Sequence, residues 1–131
     1  MRLFLVIFAV IIISGCDDSN SKPSTKLSEQ QSSSLLTIKD ESVIPETEFS
    51  IVFTPNNEVE IIDAYIEGVD MYMGRIPLFF SRTNKQLQYI ASGMVGVCSK
   101  NEMVWRIYLH YRKNGTQEGK IATLNFVVTN T

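Results

Sequence analysis

The feature that most constrains the fold is a strict alternation of side chains between Met103 and Tyr111. Since successive side chains of a β-strand point to opposite faces, this order predicts a half-buried strand. A helix would instead scatter the polar residues around its axis. The positions expected to face the core are Met103, Trp105, Ile107, Leu109 and Tyr111, and those expected to face outward are Val104, Arg106, Tyr108 and His110.

A second alternating segment follows the first after a short polar stretch. Residues 113–116 read Lys-Asn-Gly-Thr, and Asn-Gly supplies the two positive-φ positions of a type I′ turn, so a β-hairpin is predicted. The same Asn-Gly-Thr matches the N-glycosylation pattern, but we assign these residues to the turn. The returning strand is expected to place four side chains on one face, namely Ala122, Leu124, Phe126 and Val128.

Other segments of the chain have the apolar and β-branched character of strands. Pro77 marks one of them as an edge strand or a strand start. About seven strands in about 100 residues predict an all-β fold, an immunoglobulin-like antiparallel β-sandwich, with a small β-barrel as the alternative. The cysteine pair typical of antibody domains is absent, so this expectation depends on strand count alone. The additional segments are residues 35–38, 49–53, 58–66, 76–80 and 87–91.

The N-terminus has the pattern of an export signal. Met1-Arg2 is followed by eleven apolar residues, Leu3 to Ile13, and then by Ser14-Gly15. A basic start, an apolar core and a small-residue end are typical of a secretory signal peptide. A helix needs about 20 apolar residues to span a membrane, so this run is too short for a retained transmembrane anchor. Residues 1–15 are therefore predicted to be a signal peptide.

The four residues Ile13-Ser14-Gly15-Cys16 resemble the lipobox of bacterial lipoproteins. The resemblance implies that the Cys16 thiol receives a diacylglycerol and that the chain is cut before Cys16, whose new amine is then acylated. Two or more acyl chains anchor a protein stably where one does not. The predicted location is thus the periplasmic side of a bacterial membrane. Asp17 resembles the inner-membrane retention signal of enteric lipoproteins and so favours the inner membrane.

A flexible tether is predicted to join the lipidated cysteine to the folded domain. Residues 16–34 comprise Cys16 and a segment of eighteen residues, seven of them Ser, in which Leu27 is the only large apolar side chain. Such a segment cannot form a core. Its root-mean-square span is roughly 20–25 Å, at about 5–6 Å × √n. The domain is then residues 35–131, long enough for one modest core.

The charge and the single histidine limit the chemistry that is open to this chain. With 12 basic and 14 acidic residues the net charge is −2, which argues against binding of nucleic acid by electrostatics alone. His110 could pair with Cys98 as a thiol–imidazole dyad only if their strands were neighbours, and an inert buried thiol is the preferred interpretation. Asp63, Glu67 and Asp70 are interpreted as a solvated acidic face. The chain is therefore predicted not to be an enzyme.

Sulfur-bearing side chains suggest one metal. Met71 and Met73 would project from the same face of an extended segment, and Cys98 and Met103 flank a predicted turn. Thioether and thiolate sulfur select Cu(I), which makes Cu(I) the one cofactor that the sequence points to. Core packing is the preferred interpretation of these residues, since methionine fills irregular gaps and Met103 alternates in phase with Trp105. The candidate ligands are Met71, Met73, Cys98 and Met103.

Three segments of the domain, residues 68–77, 96–98 and 103–106, are similar to small uncharacterised envelope lipoproteins of Gram-negative bacteria. This similarity implies no activity. The expected function is a membrane-tethered periplasmic lipoprotein with a non-catalytic binding or accessory domain, in its sharper form one that handles Cu(I). The alternative is a structural or interaction module that binds another envelope protein by strand addition, through a sandwich edge or the aromatic residues Phe79 and Phe80.

Overall fold

The alternating segments of the sequence form eight β-strands in the computed structural model, which describes residues 35–85 and 87–130. The predicted signal peptide 1–15, Cys16 and the tether 16–34 lie outside these ranges. Every described element is a strand. The strands are β1 Leu36–Ile38, β2 Phe49–Phe53, β3 Val59–Gly68, β4 Arg75–Pro77, β5 Ser81–Arg82, β6 Tyr89–Gly93, β7 Glu102–Lys113 and β8 Gly119–Thr129.

The strands form two antiparallel sheets of four strands each, with the orders β1-β2-β6-β5 and β4-β3-β7-β8. This arrangement confirms the predicted immunoglobulin-like β-sandwich, and the alternative of a closed barrel is not adopted. The order is that of a constant-type immunoglobulin domain with one added strand, β4, beside β3. The prediction of about seven strands missed only β5, whose two residues were assigned to a polar loop and which pairs with β6. Pro77 lies in the edge strand β4, as expected.

The core lies between the two sheets and is built from the predicted inward faces. From β7 it takes all five predicted positions, of which Trp105 is the largest, and from β2 it takes Phe49, Ile51 and Phe53. The Tyr89 hydroxyl donates a buried hydrogen bond of 3.0 Å to the Val59 carbonyl and so joins the two sheets. In the described ranges no buried side-chain polar atom lacks a hydrogen-bond partner.

A β-bulge at Ile62 changes the phase of β3. Ile61 pairs with Tyr111 and Asp63 pairs with His110, so Ile62 is an extra residue, and it is 55% exposed. Before the bulge the odd-numbered side chains face the core, and after it the even-numbered ones do, as at Ala64. The bulge thereby keeps apolar residues inside along both halves of the strand.

The β7–β8 hairpin is confirmed, but the predicted type I′ turn is wrong. Gly115 has a φ of 80°, whereas Asn114 is not in the positive-φ region. The Thr116 amide donates to the Lys113 carbonyl at 3.1 Å, and the strands resume only at Gly119. Five residues connect the strands. A two-residue loop needs a type I′ turn to match the right-handed twist of the two strands, but a five-residue loop does not.

The connections gather at two ends of the sandwich. At one end, called here the tether end, the described chain begins with Leu35, whose carbonyl accepts a 2.8 Å bond from the Thr54 amide. The opposite end, called here the loop end, consists of residues 39–48, 69–74 and 94–101, together with Glu102 at the start of β7. The Glu46 amide donates to the Val95 carbonyl at 2.8 Å, which links two of these loops.

Candidate functional site

The structure does not bring the candidate dyad together. Cys98 is a buried member of the core cluster at the loop end. His110 is half-buried on the outer face of β7, eight positions beyond Glu102, which corresponds to about 27 Å along a strand. The residue opposite His110 is Asp63. Because Asp63 lies 47 positions away in the sequence, no carboxylate near His110 along the chain indicated this pair. The thiol and the imidazole lie on different faces and near different ends.

The candidate acidic residues each have a structural neighbour. Asp63 and Glu67 share the outer face of β3, as predicted, and Glu67 accepts a 3.0 Å bond from the Arg75 guanidinium. The Asp70 carboxylate accepts a 3.0 Å bond from the Val104 amide and so fastens the 69–74 loop to β7. Within residues 35–85 and 87–130, no group of three or more His, Cys, Asp or Glu side chains is placed to hold a metal ion.

An aromatic and cationic array on the outer face of the β4-β3-β7-β8 sheet was not predicted from the sequence. The rings of Tyr65 and Tyr108 stack with centroids 5.0 Å apart, and the Arg75 guanidinium lies 4.4 Å from the Tyr65 centroid. Burial raises the pKa of Tyr65, against the opposing effect of the Arg75 charge. Arg75 and Tyr108 both pack on the Tyr65 ring, which leaves less of that ring free to stack with a ligand such as a sugar.

The sulfur-bearing residues divide between the surface and the core. Met71 and Met73 are 40% and 43% exposed and lie in a loop rather than a strand, so the same-face argument from extended chain does not apply to them. Met103 is buried and belongs to the same core cluster as Cys98. A Cβ added to Gly68 would lie 2.2 Å from the Met71 carbonyl oxygen and 2.4 Å from the Met103 Cε. The loop that carries Met71 thus packs against the Met103 side chain.

Exposed apolar side chains concentrate at the loop end. Single exposed apolar residues are ordinary, whereas many of them at one end of a fold favour an interaction site there. Seven of the ten exposed large hydrophobic residues of the described chain lie in the three loops at this end. Only Met71 and Met73 among them were predicted site residues. We call this set the apolar cluster, and its members are Ile44, Val69, Met71, Tyr72, Met73, Met94 and Val97.

The β8 strand forms an edge of its sheet. Its eleven residues pair with β7 on one side. On the other side, the described residues form one backbone bridge, Val43 to Val128, and β1 of the facing sheet lies close to β8. An unpaired strand edge is a template for another strand, which proteins commonly block with charge, proline or a bulge. In β8 the pairing is regular, proline is absent and Lys120 is the only charged residue. Elsewhere, Phe79 is 81% exposed and Phe80 packs on Phe53.

The fold assigns the domain to the immunoglobulin-like class of β-sandwiches. No model of a known protein family matches the chain, and no curated protein matches it significantly. Among residues 35–85 and 87–130 no helix has the length and apolarity to cross a membrane. The geometry of the β8 edge and of the loop end is therefore the basis on which a function can be proposed.

Proposed function

We propose that the chain is a periplasmic lipoprotein, tethered to a membrane through Cys16, whose β-sandwich is a non-catalytic domain that binds another protein of the cell envelope. The lipobox and the Ser-rich tether support the location. The edge of β8 supports the binding function and is the observation that carries this proposal.

The edge suits strand addition, in which a partner supplies an extended segment that pairs with an existing sheet. Along residues 119–127, alternate backbone N–H and C=O groups point away from β7, and these groups provide the affinity in such a complex. Side chains at alternate positions provide the specificity, and Leu124 and Phe126 are half-buried apolar residues on the inward face. The bridge from Val43 occupies the Val128 end, so the partner strand begins before that residue.

Crosslinking in cells tests this proposal. With a photoreactive amino acid at Thr123, in the middle of β8, we expect a discrete adduct, and with the same probe at Thr116 in the exposed turn we expect none. Consecutive backbone amides of an edge strand point alternately toward the neighbouring strand and toward solvent. Of Thr123→Pro and Leu124→Pro, one therefore removes a hydrogen bond to β7, and the other removes only an amide that faces solvent and leaves the β7–β8 pairing intact.

A photoreactive residue at Asn125 should also give the adduct in the parent sequence. The proline variant whose urea unfolding matches the parent should lose that adduct. An adduct that persists in that variant, or equal adducts at Thr116 and Thr123, would contradict strand addition at this edge.

Handling of Cu(I) is a second candidate function, supported by the approach of the Met71 backbone and the Met103 methyl group to the same position beside Gly68. Under reducing conditions and against a competing chelator, we expect one equivalent of Cu(I) to bind. Binding should be lost in Cys98→Ser and weakened in Met71→Leu and Met73→Leu, since leucine preserves volume and apolarity but removes the sulfur. Met94→Leu, an exposed methionine outside the ligand set, is the matched control. Unchanged copper affinity with an altered melting temperature would assign these residues to packing alone.

A further inference from the structure

The loop end presents its apolar cluster on a surface that is already held in shape. The Val69 amide donates to the Val104 carbonyl at 2.9 Å, which adds to the bond between Asp70 and Val104. The Asn130 side-chain amide donates to the carbonyls of Cys98 and Lys100 at 2.6 and 2.7 Å. A surface that is ordered before binding loses less conformational entropy when a partner docks. The hydrogen bonds that hold these loops therefore favour binding of a partner by the exposed apolar side chains of the same loops.

The same end is more acidic than the molecule as a whole. Its residues include six acidic side chains and two basic ones, a local charge of −4, against −2 for the whole chain. The three ion pairs of the described chain, Arg75–Glu67, Arg82–Glu58 and Arg112–Glu60, lie elsewhere. Glu41, Glu46 and Glu102 are exposed and have no ion-pair partner among the described residues. The acidic residues are Asp40, Glu41, Glu46, Glu48, Asp70 and Glu102, and the basic ones are Lys39 and Lys100.

From this combination we infer that the loop end is a docking surface for a polypeptide segment in which apolar side chains are flanked by Lys or Arg. The apolar cluster would bury the apolar side chains, and the acidic residues around it would attract the cations and steer the encounter. An anionic lipid surface attracts basic segments and would repel this one. A symmetric contact between two copies would set the same acidic patch against itself. A cationic, apolar polypeptide is the occupant that complements both properties.

The position of the surface fits a partner located away from the membrane. β7 has twelve residues, which span about 40 Å, and it runs from the loop end toward the tether end, where the described chain begins at Leu35. A chain anchored through Cys16 would therefore tend to present the loop end outward. This orientation depends on the proposed lipid anchor, whereas the docking surface itself does not.

Peptide binding tests the inference on the full lipoprotein in phosphatidylcholine nanodiscs, with empty discs as the reference. The probe is a labelled twelve-residue peptide of alternating Leu and Lys, and peptides of Leu and Glu or of Ser and Lys serve as comparisons. We expect the Leu–Lys peptide to bind at least about tenfold more tightly than either comparison peptide, with an affinity that falls as salt is raised.

Variants of the loop end test which side chains bind the peptide. Binding should weaken about tenfold in the triple variant Glu41→Gln, Glu46→Gln, Glu102→Gln. Tyr72→Ser with Met73→Ser should also weaken it.

Matched controls lie outside the loop end, at Glu118 between β7 and β8 and at Phe79 between β4 and β5. Glu118→Gln and Phe79→Ser should leave the affinity unchanged. Equal binding of the Leu–Glu peptide, or equal effects of these control variants and the loop-end variants, would overturn the inference. So would Tyr72-dependent binding to phosphatidylglycerol vesicles, or a dimer in sedimentation that Tyr72→Ser dissociates. The crosslinking experiment on β8 uses none of these residues, so failure of the strand-addition proposal and failure of this inference are separate results.

Discussion

Gly68→Ala is expected to lower the free energy of unfolding by about 1–3 kcal/mol, the usual cost of forcing extra volume into a packed site. The new Cβ would lie 2.2 Å from the Met71 carbonyl oxygen and 2.4 Å from the Met103 Cε. The methionine end can move, but the carbonyl belongs to a loop fastened by the bonds of Val69 and Asp70 to Val104. Urea unfolding measures the change, and an unchanged slope would show that only stability is affected.

Gly119→Ala is the control for this prediction. Gly119 begins β8, and a Cβ there would meet nothing within 4 Å. Alanine restricts the unfolded chain more than glycine does, so the variant should match the parent or exceed it by a few tenths of a kcal/mol. If the two alanine variants lost equal stability, the close approach of the 69–74 loop to β7 would not be the cause.

Cys16→Ser is expected to abolish lipidation and cleavage of the protein. A serine hydroxyl does not replace the thiol that receives the diacylglycerol, and each buried CH₂ of an acyl chain contributes about 0.8 kcal/mol to membrane binding. The variant should accumulate as an uncleaved precursor that keeps the apolar residues 3–13 and carries no acyl chain. Mass spectrometry of the parent should find acyl chains on residue 16.

Cys98→Ser provides the matched comparison, because it removes the other cysteine of the chain and leaves the lipobox unchanged. It should be cleaved and acylated as the parent is. A Cys16→Ser protein that is still cleaved and still found with the membrane would show that the N-terminal segment is not a lipoprotein signal.

The fold could be predicted because its information is local. The alternation along β7 and along residues 121–128 directly marks which side chains are buried, and a sandwich is the compact way to cover several such faces. β5 could not be found in this way. Ser81 and Arg82 are exposed polar residues, and they are a strand only because β6 lies beside them.

The surfaces were less predictable because they depend on pairing between distant segments. Tyr65 and Tyr108 stack because β3 and β7 are in register, and that register includes the bulge at Ile62. The apolar cluster consists of residues from three loops that are distant in the sequence. Only Met71 and Met73, which lie in one segment, were predicted together. The edge position of β8 follows from the order of strands in the sheet, which strand periodicity does not specify.

The bulge at Ile62 also limits how β3 can vary in length among descendants of this chain. The two halves of the strand, residues 59–61 and 63–68, bury side chains of opposite parity, and Ile62 alone reconciles them. With the bulge kept, loss of one residue in either half would turn the remaining apolar side chains of that half outward. Loss of Ile62 itself would instead leave plain alternation, with Ile61 and Ala64 inward and Asp63 outward, so a change of one residue is tolerated only where a bulge is gained or lost.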